Sequence, residues 1–232
     1  MSGAADVVRT VLRGVGQTFI TVGVVLLLFC VYELWITNLV TQREQAQLTD
    51  QLRDEWSEPP RAPQTPAVTP VSVEIGSGVA VLHAPRLGDG FNDQPPVVVE
   101  GTSVEDLKKG PGRLVSSAQP GELGNLVISG HRTTYDAPFA DLDRLQPGDA
   151  VVVETRDTWF TYRVTGTEIV TPTTVEVTLP VPRQPGVEPT KSLLTLTTCH
   201  PKYSARQRMV VFSELEQTLP KADGTPPALA EV

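Results

Sequence analysis

Nineteen consecutive uncharged residues stand between Arg13 and Glu33, and they include Val22-Gly23-Val24-Val25-Leu26-Leu27-Leu28-Phe29. Crossing the hydrocarbon core of a bilayer takes about 20 apolar residues in helical form, whereas a cleaved secretory signal manages with a shorter apolar core. No small-residue cleavage pattern follows this stretch; Tyr32-Glu33-Leu34-Trp35 does, and aromatic side chains favour membrane interfaces. Residues 14–36 are therefore expected to remain as an anchor in contact with the lipid bilayer, with a signal peptide as the competing reading. On the anchor reading, whatever else the chain does is done by a domain tethered to a membrane.

The flanks give the orientation. Arg9 and Arg13 precede the stretch and Arg43 and Arg53 follow it, so the basic residues that set topology are evenly divided. The free amino terminus and the short leading segment 1–13 favour a cytoplasmic N-terminus, which puts the remainder outside the cell. Leu48, Leu52 and Trp56 share one face at four-residue spacing and predict a juxtamembrane helix over 43–56. Pro59, Pro60, Pro63, Pro66 and Pro70 follow. Such a run is expected to be extended and semi-rigid, a spacer completing a 37–70 segment. Residues 218–232, with Pro220, Gly224, Pro226 and Pro227, are expected to form a disordered tail.

Between these appendages, 71–217 reads as an all-β domain. Strand character recurs at Val79–Ala84, Val97–Glu100, Leu126–Ser129, Ala150–Thr155, Trp159–Val164, Val175–Leu179, Leu193–Thr198 and Arg208–Ser213. Turn signals such as Gly88-Asp89-Gly90 and Pro147-Gly148-Asp149 separate several of them. Two short helices are predicted. Ser103–Lys109 opens with Ser-x-x-Asp and closes on Lys108-Lys109-Gly110, and Pro138–Leu145 begins with a proline suited to a first helical turn. Short strands at this density predict a closed barrel or a sandwich.

The chemistry concentrates near the end of the domain. Cys199 closes the run Leu193-Leu194-Thr195-Leu196-Thr197-Thr198, and Arg208 opens the next strand. A thiol and a guanidinium so placed can face one pocket. The chain has two cysteines, and Cys30 lies in the apolar stretch, so Cys199 is expected to be a free thiol; by itself a free cysteine is most often a small buried hydrophobe. A base must come from three histidines. His200 adjoins Cys199, and successive side chains of a strand point to opposite faces. His83 sits inside Val81-Leu82-His83-Ala84-Pro85, where a structural role is the default. His131 follows Leu126-Val127-Ile128-Ser129-Gly130 and opens the polar stretch Arg132-Thr133-Thr134-Tyr135, a strand end emerging into a loop. The formal charge of −8 argues against a nucleic-acid partner, since no basic face is suggested. No acidic cluster suggests a calcium site, and no cofactor motif or metal-ligand pattern is evident.

Ser129-Gly130-His131-Arg132-Thr133-Thr134-Tyr135, together with Thr195-Leu196-Thr197-Thr198-Cys199 and Arg208, resembles the sortases, transpeptidases of Gram-positive cell surfaces. Pro85-Arg86-Leu87-Gly88, Val99-Glu100-Gly101-Thr102 and Gly110-Pro111-Gly112 are similar to actinobacterial sortases of class E. The resemblance covers about 80–215. It implies an eight-stranded β-barrel, in agreement with the eight strand candidates, and an outward-facing domain on a membrane anchor.

It also implies a mechanism. Cys199 would attack the Thr–Gly carbonyl of a C-terminal Leu-Pro-x-Thr-Gly or Leu-Ala-x-Thr-Gly sorting signal on a secreted protein, and a cell-wall peptide amine would resolve the thioester. His131 would act as general acid and base, Arg208 would stabilise the oxyanion or hold the substrate backbone, and Thr198 would contact substrate. An aromatic near the first strands is implied to influence preference at the second position of the signal; Phe91 is the nearest candidate, where a tyrosine would be expected. No Asp-Pro-aromatic lid precedes the first strand, which argues against pilus polymerisation. Two alternatives use the same residues. One is another cell-surface cysteine peptidase or transpeptidase, although the chain lacks Ser-x-Gly-Cys-x-Arg and its cysteine does not start a helix. The other is a tethered binding domain with a structural Cys199.

Overall fold

A computed structural model describes residues 2–57 and 74–230. The proline-rich spacer expected at 58–70 lies outside the described residues. The N-terminal part is one helix, α1 (Ser2–Ser57, 56 residues). Its apolar stretch is long and apolar enough to cross a membrane, and Leu26, Leu27, Leu28 and Phe29 are exposed to whatever surrounds the helix. The anchor and the juxtamembrane helix predicted separately are continuous. Leu48 and Leu52 are buried against Val81, Val97 and Val99, with Trp56 beside them. The four-residue stripe is therefore a docking face for the barrel, at about 1.5–3 kcal/mol for each fully buried side chain.

Eight strands close into a barrel in the order β1-β2-β3-β4-β7-β8-β6-β5. They are β1 (Gly78–His83), β2 (Val97–Glu100), β3 (Gly112–Arg113), β4 (Gly124–Ser129), β5 (Ala150–Glu154), β6 (Thr158–Val170), β7 (Ser192–His200) and β8 (Gln207–Pro220). The β2–β3 and β4–β7 pairs are parallel, and the others are antiparallel. Alternation sorts each strand into two faces. Leu126 and Ile128, Leu194 and Leu196, and Met209 and Val211 point into one core, which leaves their odd- and even-numbered neighbours on the outside of the barrel.

Among the described residues two short α-helices decorate the barrel, α2 (Asp89–Asn92) and α3 (Val104–Lys109). The predicted start of α3 is realised as a capping box: Asp106 N–H donates to Ser103 Oγ at 3.2 Å and Ser103 N–H to Asp106 Oδ2 at 3.0 Å. The Glu100 and Gly112 of the sequence motifs form the short parallel junction. Arg113 donates to Glu100 through Nε (2.7 Å) and Nη2 (2.5 Å), with both side chains buried. A Cβ on Gly112 would lie 2.1 Å from Gly101 O, so the close approach of these strands requires glycine.

Three expectations are corrected. Val175–Leu179 is not a strand; Val175–Thr178 is a 3-10 turn whose Val177 packs on Val170, Val210 and Phe212. One inward residue between two outward ones satisfies a β pattern without any ladder. The strand that completes the barrel is Gly112–Arg113, too short to show periodicity. Pro138–Leu145 is a series of turns ending in a 3-10 segment, Leu142–Arg144, with Phe139, Leu142 and Leu145 buried. The described part of the predicted tail is ordered on the barrel: β8 runs to Pro220, and Ala228 is buried against Ala150 and Val152.

Candidate active site

The middle of β7 pairs with β4 on one side and β8 on the other. Cys199 is the register partner of Arg208 in the antiparallel β7–β8 ladder. Directly opposite residues share a face, with Cβ atoms about 4.5–5.5 Å apart. Because Leu194 and Leu196 point inward, Cys199 and Arg208 are on the outer face. On the other side the last parallel pair is Ser129↔Thr197, and Gly130 N–H continues it to Thr197 O at 3.1 Å. His131 and Cys199 each stand two residues past that pair, so the ends of three adjacent strands bring His131, Cys199 and Arg208 to one edge of the barrel. Cys199 is half-buried. Arg208 Nη1 donates to Ala205 O at 2.9 Å and Gln207 O at 3.0 Å, tying the guanidinium to its own turn.

Packing aims the His131 segment. Gly130 lies against the Phe139 ring, and a Cβ there would come within 2.7 Å of it. Phe139 is fully buried, and its N–H donates to His131 O at 3.0 Å, so the chain folds back on itself just after β4. The returning loop holds Tyr135, Asp136 and Ala137 at φ of 52°, 61° and 44°. The left-handed region costs a non-glycine residue roughly 1–2 kcal/mol. The Tyr135 ring lies 4.9 Å from the imidazole, tilted by 40°.

Electrostatics favour a neutral His131. Burial pushes the His131 imidazole below its ordinary value, because the charged form loses solvation. Nδ1 is 3.4 Å from Thr134 Oγ1, while Nε2 is buried and makes no hydrogen bond. A buried polar atom without a protein partner costs about 1–3 kcal/mol, a cost that His131 Nε2 shares with Arg132 Nε, Thr161 Oγ1 and Ser213 Oγ.

Arg132, beside His131 in the Ser129–Tyr135 motif, is buried at 4% exposure. Its Nη1 donates to His200 Nδ1 at 2.8 Å and to Cys199 O at 3.4 Å, and Nη2 meets Asp143 Oδ1 at 3.1 Å. One side chain thus links the end of β4 to the end of β7. His200 is occupied by this contact, and His83 by Glu154 Oε2 at 2.8 Å. A second link missed in the sequence is Asn125. It accepts from Thr195 Oγ1 at 2.8 Å and donates to Val177 O and Leu179 O at 3.2 and 3.0 Å, pinning the β6–β7 connection over the outer face. The signal for both was weak, since a buried polar residue looks like a surface one until its neighbours are known.

Two predicted contact residues stand elsewhere. Thr198 alternates away from Cys199; it is 3% exposed and its hydroxyl donates to Gly130 O at 2.7 Å. Its side chain joins β7 to the residue before His131 and does not face the cleft. Phe91, on α2, packs against the core and lines a cavity of about 210 Å³ with Leu87, Gln94, Pro96, Ala137 and Pro138. That cavity adjoins the loop carrying Tyr135–Ala137, but neither Cys199, His131 nor Arg208 lines it. Among the described residues there is no group of three or more His, Cys, Asp or Glu able to hold a metal.

The Sortase domain family matches residues 82–216. Sortase SrtE1 and sortase SrtE2 of Streptomyces coelicolor are 36% and 35% identical over 94% and 91% of the chain. The chain spans 60% of the length of the first and 85% of the second. The structure of sortase E from Streptomyces avermitilis superposes with a TM-score of 0.60 at 43% identity, covering 68% of this chain and 99% of that one. A crystal structure of sortase E1 from Streptomyces coelicolor, with a tripeptide in its active site, gives 0.60 at 34% identity over 68% and 99%.

Proposed function

The chain belongs to the sortase family, and from that membership we propose that it is a membrane-anchored cysteine transpeptidase acting outside the cell. The observation that carries the reading is the facing pair Cys199 and Arg208 beside the strand end that bears His131. Residues 14–36 are the anchor, 71–217 the catalytic domain, and the N-terminus is cytoplasmic.

The reaction has two halves. Cys199 Sγ bonds to the Thr carbonyl carbon of a Thr–Gly bond in a Leu-Pro-x-Thr-Gly or Leu-Ala-x-Thr-Gly signal, giving up its proton to His131. The tetrahedral oxyanion is held by the Arg208 donors not committed to its own turn, a role suited to a fixed planar charge. His131 then protonates the departing Gly amine as the C–N bond breaks, leaving a thioester. In the second half a cell-wall peptide amine attacks the thioester carbon, His131 takes its proton, and the thiolate leaves and is reprotonated. The neutral resting imidazole favoured by burial suits the first proton transfer.

Incubating the full chain with a Leu-Ala-x-Thr-Gly peptide, without amine, should add the mass of the acyl fragment to the protein, localised to Cys199 by peptide mapping. Adding a peptide amine should remove it and yield the ligated product. Cleavage that persists without an acyl-enzyme, or after Cys199 is replaced, would overturn the reading.

A further inference from the structure

We propose that Asn38 and Gln42, on the juxtamembrane part of α1, are positioning residues that hold the His131 loop in its working shape. The inference rests on the assignment of His131 as acid and base. It extends that assignment to the helix that leaves the membrane.

The argument starts from the loop. Three successive residues with left-handed backbone, Tyr135, Asp136 and Ala137, do not persist unless surrounding contacts over-determine them. Within the loop, Ala137 N–H donates to Thr134 O at 2.9 Å. The middle residue is held from outside: Asp136 N–H donates to Asn38 Oδ1 at 3.0 Å, and Gln42 Nε2 donates to Asp136 Oδ1 at 2.9 Å. Both partners lie one turn apart on α1, and they grip one residue by backbone and side chain. Asp136 adjoins Tyr135, whose ring rests 4.9 Å from the His131 imidazole. Fixing Asp136 therefore fixes the ring that the imidazole leans on.

A latch works only if its mounting is firm, and α1 is mounted at several independent points. Thr41 Oγ1 donates to Lys108 O at 2.9 Å. The Gln45 amide pairs with the backbone at the start of β2: it accepts from Val97 N–H at 2.8 Å and donates to Val97 O at 3.1 Å and Lys109 O at 2.7 Å. Gly110 makes room, since a Cβ there would lie 2.1 Å from Gln45 Nε2 and 3.0 Å from Val97 O. Leu48 and Leu52 complete the seat in the apolar cluster. The face 38, 41, 42, 45, 48, 52 follows helical spacing, so a single stripe serves both the docking and the latch.

The test uses the full chain in detergent micelles, with Asn38→Ala, Gln42→Ala, the double variant, and Gln47→Ala on the exposed side of α1 as control. Hydrogen exchange followed by mass spectrometry should show faster exchange in the peptide spanning 133–138 for the Asn38 and double variants, and no change for Gln47→Ala. Peptide cleavage should show kcat falling in the double variant by about tenfold or more with KM little altered, because misplacing a catalytic group by about 1 Å costs up to about 10²-fold. Exchange unchanged in every variant would overturn the latch. Faster exchange with unaltered kcat, or a loss confined to KM, would overturn its link to His131. Cys199→Ala run alongside separates the two readings: cleavage surviving there defeats the transpeptidase assignment and leaves the exchange result standing.

Discussion

Cys199 and Arg208 are cross-strand partners in the β7–β8 ladder, on the outer face of the barrel. In the proposed reaction this relationship makes the arginine a specific chemical requirement. Arg208→Ala and Arg208→Lys should both lower kcat/KM by about 10²–10³, the loss seen when an oxyanion donor is removed. A lysine offers a point charge without the planar fork. Cys199→Ala should abolish acyl-enzyme formation, with a stability change inside the usual ~0.5–3 kcal/mol range. Steady-state kinetics with thermal melts would check both, and a fully active Arg208→Lys would refute the need for a fork.

The three histidines should separate. His131→Ala is expected to lose most activity, since its buried Nε2 has no structural partner to satisfy. His83→Ala gives up a contact to Glu154 and His200→Ala one to Arg132, each a hydrogen bond to a charged group worth about 1.5–3 kcal/mol of stability, and both should keep much of their turnover. Equal activity in all three variants would require another base.

Stability should fall as the solution is acidified, in two stages. Burial lowers the His131 value below 6.5, so below that pH the unfolded chain binds a proton more readily than the folded one. The associated stability is complete above 6.5 and is lost as pH falls toward the folded value. Burial pushes the Glu154 carboxyl up, but hydrogen bonds and charge from His83 and Lys221 outweigh it and leave the group below 4.5. Its contribution is present above 4.5 and disappears as pH drops through the lower folded value. Melting temperatures across this range should decline with acid, and Glu154→Gln should flatten the lower stage only. A melting temperature that rises with acid would contradict both signs.

Topology is open to direct measurement. Protease added outside protoplasts should digest the domain from about residue 71 onward and spare an epitope tag at the N-terminus. Protection of the domain in sealed cells would reverse the orientation.

Selectivity at the second position of the sorting signal should be weak. Proline removes a backbone donor, so a pocket that pairs with that amide would favour alanine, and an unmatched buried partner costs about 1–3 kcal/mol. Phe91 brings no hydroxyl to its cavity beside Ala137 and Pro138. Specificity constants for the alanine and proline peptides should be similar in the natural protein and should diverge toward alanine in Phe91→Tyr. An unchanged ratio would remove Phe91 from the recognition site.

Local physics made much of this protein legible in its sequence. An uncharged stretch long enough for a bilayer, a Ser-x-x-Asp helix start and strands with alternating burial each depend on residues close together in the chain. The motifs around His131, Cys199 and Arg208 carried the family for the same reason. Only the tertiary structure decided that Gly112–Arg113 closes the barrel, because two residues have no period to read. It also decided that Val175–Thr178 is a turn and that Thr198 faces inward, because register assigns a side chain to a face. The docking of α1 through Gln45, and its grip on Asp136 through Asn38 and Gln42, pair residues about fifty to a hundred positions apart. Polar residues on a helix look alike in a sequence, and those that meet a partner are distinguished only by the fold that brings the partner to them.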